Sequence, residues 1–299
     1  MHSKFVNNGE MNMSEKILVV GGTGMLGLPV VKQLLTDGFD VSVLTTNNDK
    51  AKEKLPDQVN LIEGDVTNQD SLKKAIEGHS MVHLNLNAKM TPELYEKIEI
   101  GGCQNASLAA KELGVKRIGY ISGASSKGEK RGIIYLDAKV EAENRIIESG
   151  VPYSIFRAGW FYETLPSFIQ QGKAIVLGDQ PHGYSWLSAS DYAKQVSHAY
   201  KNEDSANKCL YNLGPEKMTM MEALARYCAI CHPALKPEKL SFTMANMISH
   251  MPGMEKLKTV IPFFEYFSNN PETVDSAETD ALLGANKMTI EDWCKGQTA

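Results

Sequence analysis

The feature that most constrains this chain is a short apolar run that ends in glycines. Residues 16–20 read Lys-Ile-Leu-Val-Val, and Gly21-Gly22-Thr23-Gly24-Met25-Leu26-Gly27 follows at once. Such a run suits a buried parallel strand. Gly21, Gly24 and Gly27 fall on a G-x-x-G-x-x-G spacing. The first glycine permits a tight turn out of the strand. The second lets a phosphate approach the backbone, and the third lets the next helix pack closely on the sheet. Met25, Leu26, Leu28, Val31, Leu34 and Leu35 then recur at helical spacing, which stops at Asp37-Gly38. A helix beginning here offers free amides and the positive end of its dipole to a pyrophosphate. A glycine turn alone is a weak signal. The strand before it and the helix after it make it a dinucleotide site.

The same alternation continues downstream. Strands are expected at 41–46 (VSVLTT), 59–65 (VNLIEGD), 80–87 (SMVHLNLN), 116–122 (KRIGYIS) and 151–157 (VPYSIFR), with helices at 70–78, 92–113 and 135–149. Six strands joined by helices through short connections specify an α/β fold: a Rossmann-type doubly wound parallel sheet. After Arg157 the loops lengthen and strands become sparse, with helices near Ser190-Asp191 and near Thr219. The expected organisation is a polar tail over 1–14, a dinucleotide-binding domain over 15–157 and a smaller C-terminal α/β cap over 158–299, integral with the first. A chain of 299 residues has room for this as one large core unit.

Thirty-one Lys and Arg against 36 Asp and Glu give a net charge of −5. That leaves no basic excess for a nucleic-acid partner. The apolar runs are far shorter than the ~20 residues of a membrane helix, so no membrane partner is expected. The first residues hold no apolar stretch of the signal-peptide kind. Five cysteines without an export signal are expected to be reduced. The expected setting is cytoplasmic, as a monomer or homodimer. Cys228-Ala-Ile-Cys231-His232 matches a haem-attachment spacing, but it continues an amphipathic helix and needs export for that chemistry. No second C-x-x-C stands beside it to complete the four ligands of a zinc site, so no metal is expected.

The end of the second strand decides which dinucleotide fits. Thr45-Thr46-Asn47 carries hydroxyls and an amide where an NAD site carries an acid, with Lys50 close behind. This favours NADP over NAD. Asp65 and Val66, after the third strand, are expected at the adenine. The remaining candidate cofactor contacts are Thr23, Met25 and Leu26 in the turn, Asn85 after the fourth strand, and Ala158 and Gly159 after the sixth. Trp160 and Phe161 follow, near the expected nicotinamide.

Tyr135 and Lys139 stand four apart, on one face of a helix. An ammonium beside a phenol lowers the phenol pKa from ~10 and prepares it for proton transfer near neutral pH. Lys139 also suits the cofactor ribose, and Ser122 or Ser125 suits a substrate carbonyl oxygen. The Met and Phe residues of 243–268 suit an apolar substrate pocket or a core.

GGTGMLG, Gly64-Asp65, His83-Leu84, GVKR at 114–117, the Tyr135/Lys139 pair and VPYSIFRAG at 151–159 together resemble the short-chain dehydrogenase/reductase superfamily. They are most similar to its atypical NmrA-like and complex-I-accessory-subunit-like branch, over residues 15–295. The resemblance implies that Gly21, Gly24 and Gly27 bind pyrophosphate. It implies that Tyr135 is the general acid and that Lys139 is its activator and a ribose ligand. Three positions depart from the pattern. Thr46 stands where NADP-binding relatives often carry arginine, Glu99 stands where an asparagine is usual, and Gly123-Ala124 stand where serine is frequent. The expected function is an NADP-dependent oxidoreductase acting on a small apolar carbonyl or quinone. The alternative is a non-catalytic NADP(H) sensor that reports to a protein partner.

Overall fold

Strands β1 (Lys16–Val20), β2 (Asp40–Thr45), β3 (Asn60–Glu63), β4 (Met81–Leu84), β5 (Arg117–Gly123) and β6 (Tyr153–Ala158) alternate with helices along the chain. The helices are α1 (Gly27–Thr36), α2 (Asn48–Lys52), α3 (Gln69–Ile76), α4 (Pro92–Leu94), α5 (Gly101–Leu113) and α6 (Ile134–Glu148). The computed structural model describes residues 15–298, so the expected tail over 1–14 lies outside the described residues.

Beyond β6 come β7 (Trp160–Phe161), β8 (Ile169–Gln170), β9 (Lys173–Leu177), β10 (Tyr184–Leu187), α7 (Ala189–Lys201), β11 (Lys208–Asn212), β12 (Glu216–Met218) and α8 (Met220–Cys231). The last elements are β13 (Glu238–Leu240), α9 (Phe242–Ile248), α10 (Leu257–Asn269), α11 (Ala277–Leu283) and α12 (Ile290–Thr298).

Seven strands form the main sheet in the order β3-β2-β1-β4-β5-β6-β11, every pair parallel. The order reverses between β1 and β4, which opens a crevice at the carboxyl ends of the strands. Helices α1 and α7 cover one face over a core of Val19, Val31, Leu34, Phe156 and Tyr192. Helices α3, α5 and α6 cover the other over Leu18, Val82, Ala106, Tyr120 and Ile155. The expected α/β doubly wound sheet is therefore the observed one.

Two differences matter for the site. The boundary expected at 157/158 does not separate sheet from cap, because the chain returns to the main sheet. Strand β11 pairs with β6, and α7 packs on α1, where the Ser197 hydroxyl donates to Asp37 at 2.5 Å. A five-residue strand after a long excursion carries too little pattern to read from sequence. The cap is drawn from the segments on either side of α7–β11, with its own core around Tyr162, Trp186, Met220 and Trp293.

The helix expected over 92–113 is also not uniform. Residues Tyr95–Ile100 form a wider π-helical turn before α5 begins at Gly101. A side chain at Gly102 would press on Val66 and Leu86, so this glycine lets the helix approach the third-strand loop. A π turn rotates its side chains away from their α-helical register, and here Glu99 lies in the interior.

Candidate active site

The glycine turn has the geometry that its spacing predicts. Gly21 takes φ +81°, open to glycine without strain, and a side chain there would collide with the Asn85 backbone carbonyl. A side chain at Gly27 would collide with the carbonyl of Gly21. The Gly24 amide donates to the Gly21 carbonyl at 3.0 Å and closes the turn. The amides of Met25 and Leu26 meet no protein acceptor among the described residues, which leaves them for an anion at the start of α1. Asn85 N donates to Val20 O at 2.9 Å, so the end of β4 is tied to the end of β1. The Asn85 side chain is buried, and both its amide atoms lack a hydrogen-bond partner. Buried polar groups are normally paired. A cradle shaped by absent side chains and an orphaned amide beside it fit a dinucleotide.

The outer cofactor positions are less committed. Thr45 Oγ1 donates to Asn47 O and accepts from Asn47 N, both at 3.1 Å. Asn47 caps α2, and Thr46 is exposed. The end of β2 carries no carboxylate. Asp65 Oδ1 already accepts from Thr67 N at 2.8 Å and from its hydroxyl at 2.9 Å, so Asp65 chiefly shapes its own turn. Val66 is half-buried against α5, where Asn105 Nδ2 donates to its carbonyl at 3.0 Å.

Tyr135, Ala158, Gly159 and Trp160 meet at a second place along the same sheet edge. They line a cavity of about 900 Å³ at the carboxyl ends of β5 and β6, roofed by α10. The Tyr135 ring packs edge-on against Tyr95 (centroids 6.1 Å apart) and Phe263 (5.1 Å). Ser125 lies in the cavity wall and Ser122 does not. Along β5, Ser122 shares the face of Tyr120, which α5 and α6 cover, and its hydroxyl is buried without a partner. Of the two serines left open by the sequence, Ser125 is the one that lines this cavity together with Tyr135.

Lys139 lies one helical turn beyond Tyr135 and points into the protein. Its ammonium donates to Glu99 Oε1 at 2.6 Å and to the Ile121 carbonyl at 2.8 Å, 4.7 Å from the centre of the Tyr120 ring. The Tyr120 hydroxyl donates to the same Glu99 oxygen at 2.6 Å. Glu99 thus spends the lysine charge that was expected to act on Tyr135. Burial holds the Tyr135 phenol above its ordinary range; the pull of Lys139 downward is opposed by Glu99. Burial would lower the Lys139 ammonium, but Glu99 outweighs it and the net direction is upward. The sequence expectation of a lowered phenol is reversed: Tyr135 is held protonated.

With this geometry in place, relatives can be compared. The NmrA-like family model matches residues 13–294. The chain belongs to the NmrA-like family. The isoflavone reductase homolog IRL of Zea mays is 31% identical over 216 residues, 66% of this chain and 67% of that protein. The photosystem II assembly factor Ycf39 of Trieres chinensis is 22% identical over 88% of this chain and 81% of its own. Among solved structures, the NADPH complex of the quinone oxidoreductase QOR2 of Escherichia coli superposes with a TM-score of 0.76. It covers 95% of this chain and 100% of its own at 20% identity. This family member has a Rossmann-like sheet in common with that reductase. No described helix is long and apolar enough to cross a membrane.

Proposed function

We propose that this chain is an NADP(H)-dependent oxidoreductase that reduces a small conjugated acceptor with a largely apolar body. The observation that carries the reading is the phenol of Tyr135, held protonated in the wall of an apolar cavity at the same sheet edge as the glycine turn. The relatives support it: a quinone oxidoreductase bound to NADPH and an isoflavone reductase homolog stand among them.

When bound, a nicotinamide dinucleotide supplies a hydride. Gly21, Gly24 and Gly27 with the Met25 and Leu26 amides would hold its pyrophosphate, with Thr23 and Asn85 flanking that cradle. Thr45, Thr46 and Asn47 would meet a 2′-phosphate with hydroxyls and an amide, with Glu63 on the neighbouring strand opposite Thr45. Asp65 and Val66 would border the adenine. Ala158 and Gly159, in the wall of the cavity, would stand at the nicotinamide. The acceptor oxygen lies within reach of Tyr135, which donates its phenolic proton as that oxygen gains electrons. Ser125 orients the oxygen. Lys139 acts beneath Tyr135 as a positioning residue, fixing the start of α6 through Glu99 and Ile121 O.

A second reading, a non-catalytic sensor of NADP(H), is favoured by one observation: Glu99 neutralises the lysine that would activate the tyrosine. Loss of NADPH absorbance against a panel of quinones, aldehydes and ketones separates the two. Turnover of any acceptor supports the oxidoreductase. Tight NADPH binding with no turnover across the panel supports the sensor.

A further inference from the structure

The wall of the cavity is apolar and aromatic except for a few polar positions, and its two charged members differ in setting. Lys173 is exposed at the rim. Glu272 is not: its side chain is 4% exposed. Oxygen Oε2 accepts from the Ser185 amide at 3.0 Å and the Ser185 hydroxyl at 2.5 Å, with Lys217 Nζ 3.8 Å away on a side chain that is 53% exposed. Oxygen Oε1 takes no hydrogen bond from any described residue. The carboxylate is also held in place. Lys217 donates to the Glu272 backbone carbonyl at 3.2 Å, and the Tyr184 hydroxyl donates to the carbonyls of Phe267 and of Asn270, the latter at 2.6 Å. The loop behind α10 therefore presents a half-satisfied carboxylate.

Aromatic rings line the same cavity as Glu272. Tyr184 precedes Ser185 on β10, and Trp160 packs against Tyr184, Phe263 and Phe267 with centroids 6.3, 5.8 and 5.2 Å apart. A buried carboxylate with a free oxygen is costly unless a cation or donor meets it. Aromatic faces attract cations by their quadrupoles, most strongly where water is excluded. A hydrocarbon face laid against Oε1 would leave that oxygen unpaired. A cationic nitrogen attached to an aromatic body would satisfy both features at once.

We propose that Glu272 is a specificity-determining residue and that the cavity takes aromatic substrates carrying a positively charged nitrogen. The proposal rests on the cavity being the substrate site of the oxidoreductase described above. Its test needs neither cofactor nor turnover.

The experiment is calorimetric binding of two ligands of the same shape, 2-naphthyltrimethylammonium and 2-tert-butylnaphthalene, to the full chain and to Glu272→Gln. The glutamine keeps the size of the side chain and an acceptor for Ser185. The wild type is expected to bind the cation at least tenfold more tightly than its neutral isostere, and Glu272→Gln to lose at least tenfold of that preference. Equal or tighter binding of the neutral ligand by the wild type would overturn the proposal, as would an undiminished preference in the variant. Should Glu272→Gln not fold, the wild-type pair alone decides. A clear preference for the cation that depends on Glu272, in a protein that oxidises no NADPH with any acceptor, cationic aromatics included, would overturn the reductase reading and show Glu272 selecting a bound ligand and not a substrate.

Discussion

Lys139 and Glu99 form an ion pair at 2.6 Å with side chains only 5% and 1% exposed, joining α6 to the π turn before α5. Removing one partner of such a pair strands the other charge out of water, at a cost of about 3–5 kcal/mol. Glu99→Ala is therefore expected to lose about that much stability in denaturant unfolding, since Lys139 would keep only the Ile121 carbonyl. Replacing both, as Glu99→Leu with Lys139→Met, is expected to recover most of it. A Glu99→Ala protein as stable as the wild type would show that the pair is not formed as described.

The same pair sets the pH behaviour of Tyr135. Its phenol is raised by burial, with Lys139 held off by Glu99. The acid form is the active one for reduction. It persists through neutrality and is lost only as pH rises through the folded-state pKa, above the ordinary value of about 10. The rate of acceptor reduction at saturating cofactor is expected to be level from about pH 6 to about pH 9. A fall centred near neutral pH would mean that Lys139 does lower the phenol.

Gly21→Ala and Gly27→Ala test the cradle. Each adds a carbon against a backbone carbonyl, at Asn85 and at Gly21 respectively, and the first also forces alanine to φ +81°. Both are expected to abolish NADPH binding in a fluorescence titration while leaving Cys228→Ala, buried in the cap far along the chain, without effect on it. NADPH affinity unchanged in Gly21→Ala would place the cofactor elsewhere.

Much of the inner layer was legible because strand and helix periods alternate without interruption and because glycines mark where backbone must approach backbone. Gly21 and Gly27 do so literally. Strand β11 was not legible, since its pairing with β6 depends on a chain excursion of some fifty residues that leaves no local pattern. The partnership of Glu99 was missed for a related reason. Spacing on a regular helix cannot show that a π turn carries the carboxylate inward to Lys139, forty residues away in sequence. Ser122 and Ser125 were inseparable by number alone; Ser122 ends up inside β5 on the covered face of Tyr120, while Ser125 lies in the turn beyond the strand and lines the cavity. Glu272 gave no signal at all, being an isolated acid in a polar loop whose burial comes from Ser185 and the end of α10.

The most direct test of the central claim is the steady-state reduction of the best acceptor with NADPH by wild type and by Tyr135→Phe, with the NADPH Kd measured for both. The substitution removes one oxygen and keeps the ring between Tyr95 and Phe263. The account predicts a fall in kcat of at least about 100-fold, the scale of a lost proton donor, with the NADPH Kd unchanged. A Tyr135→Phe enzyme that keeps its kcat would contradict it and remove the phenol from the chemistry.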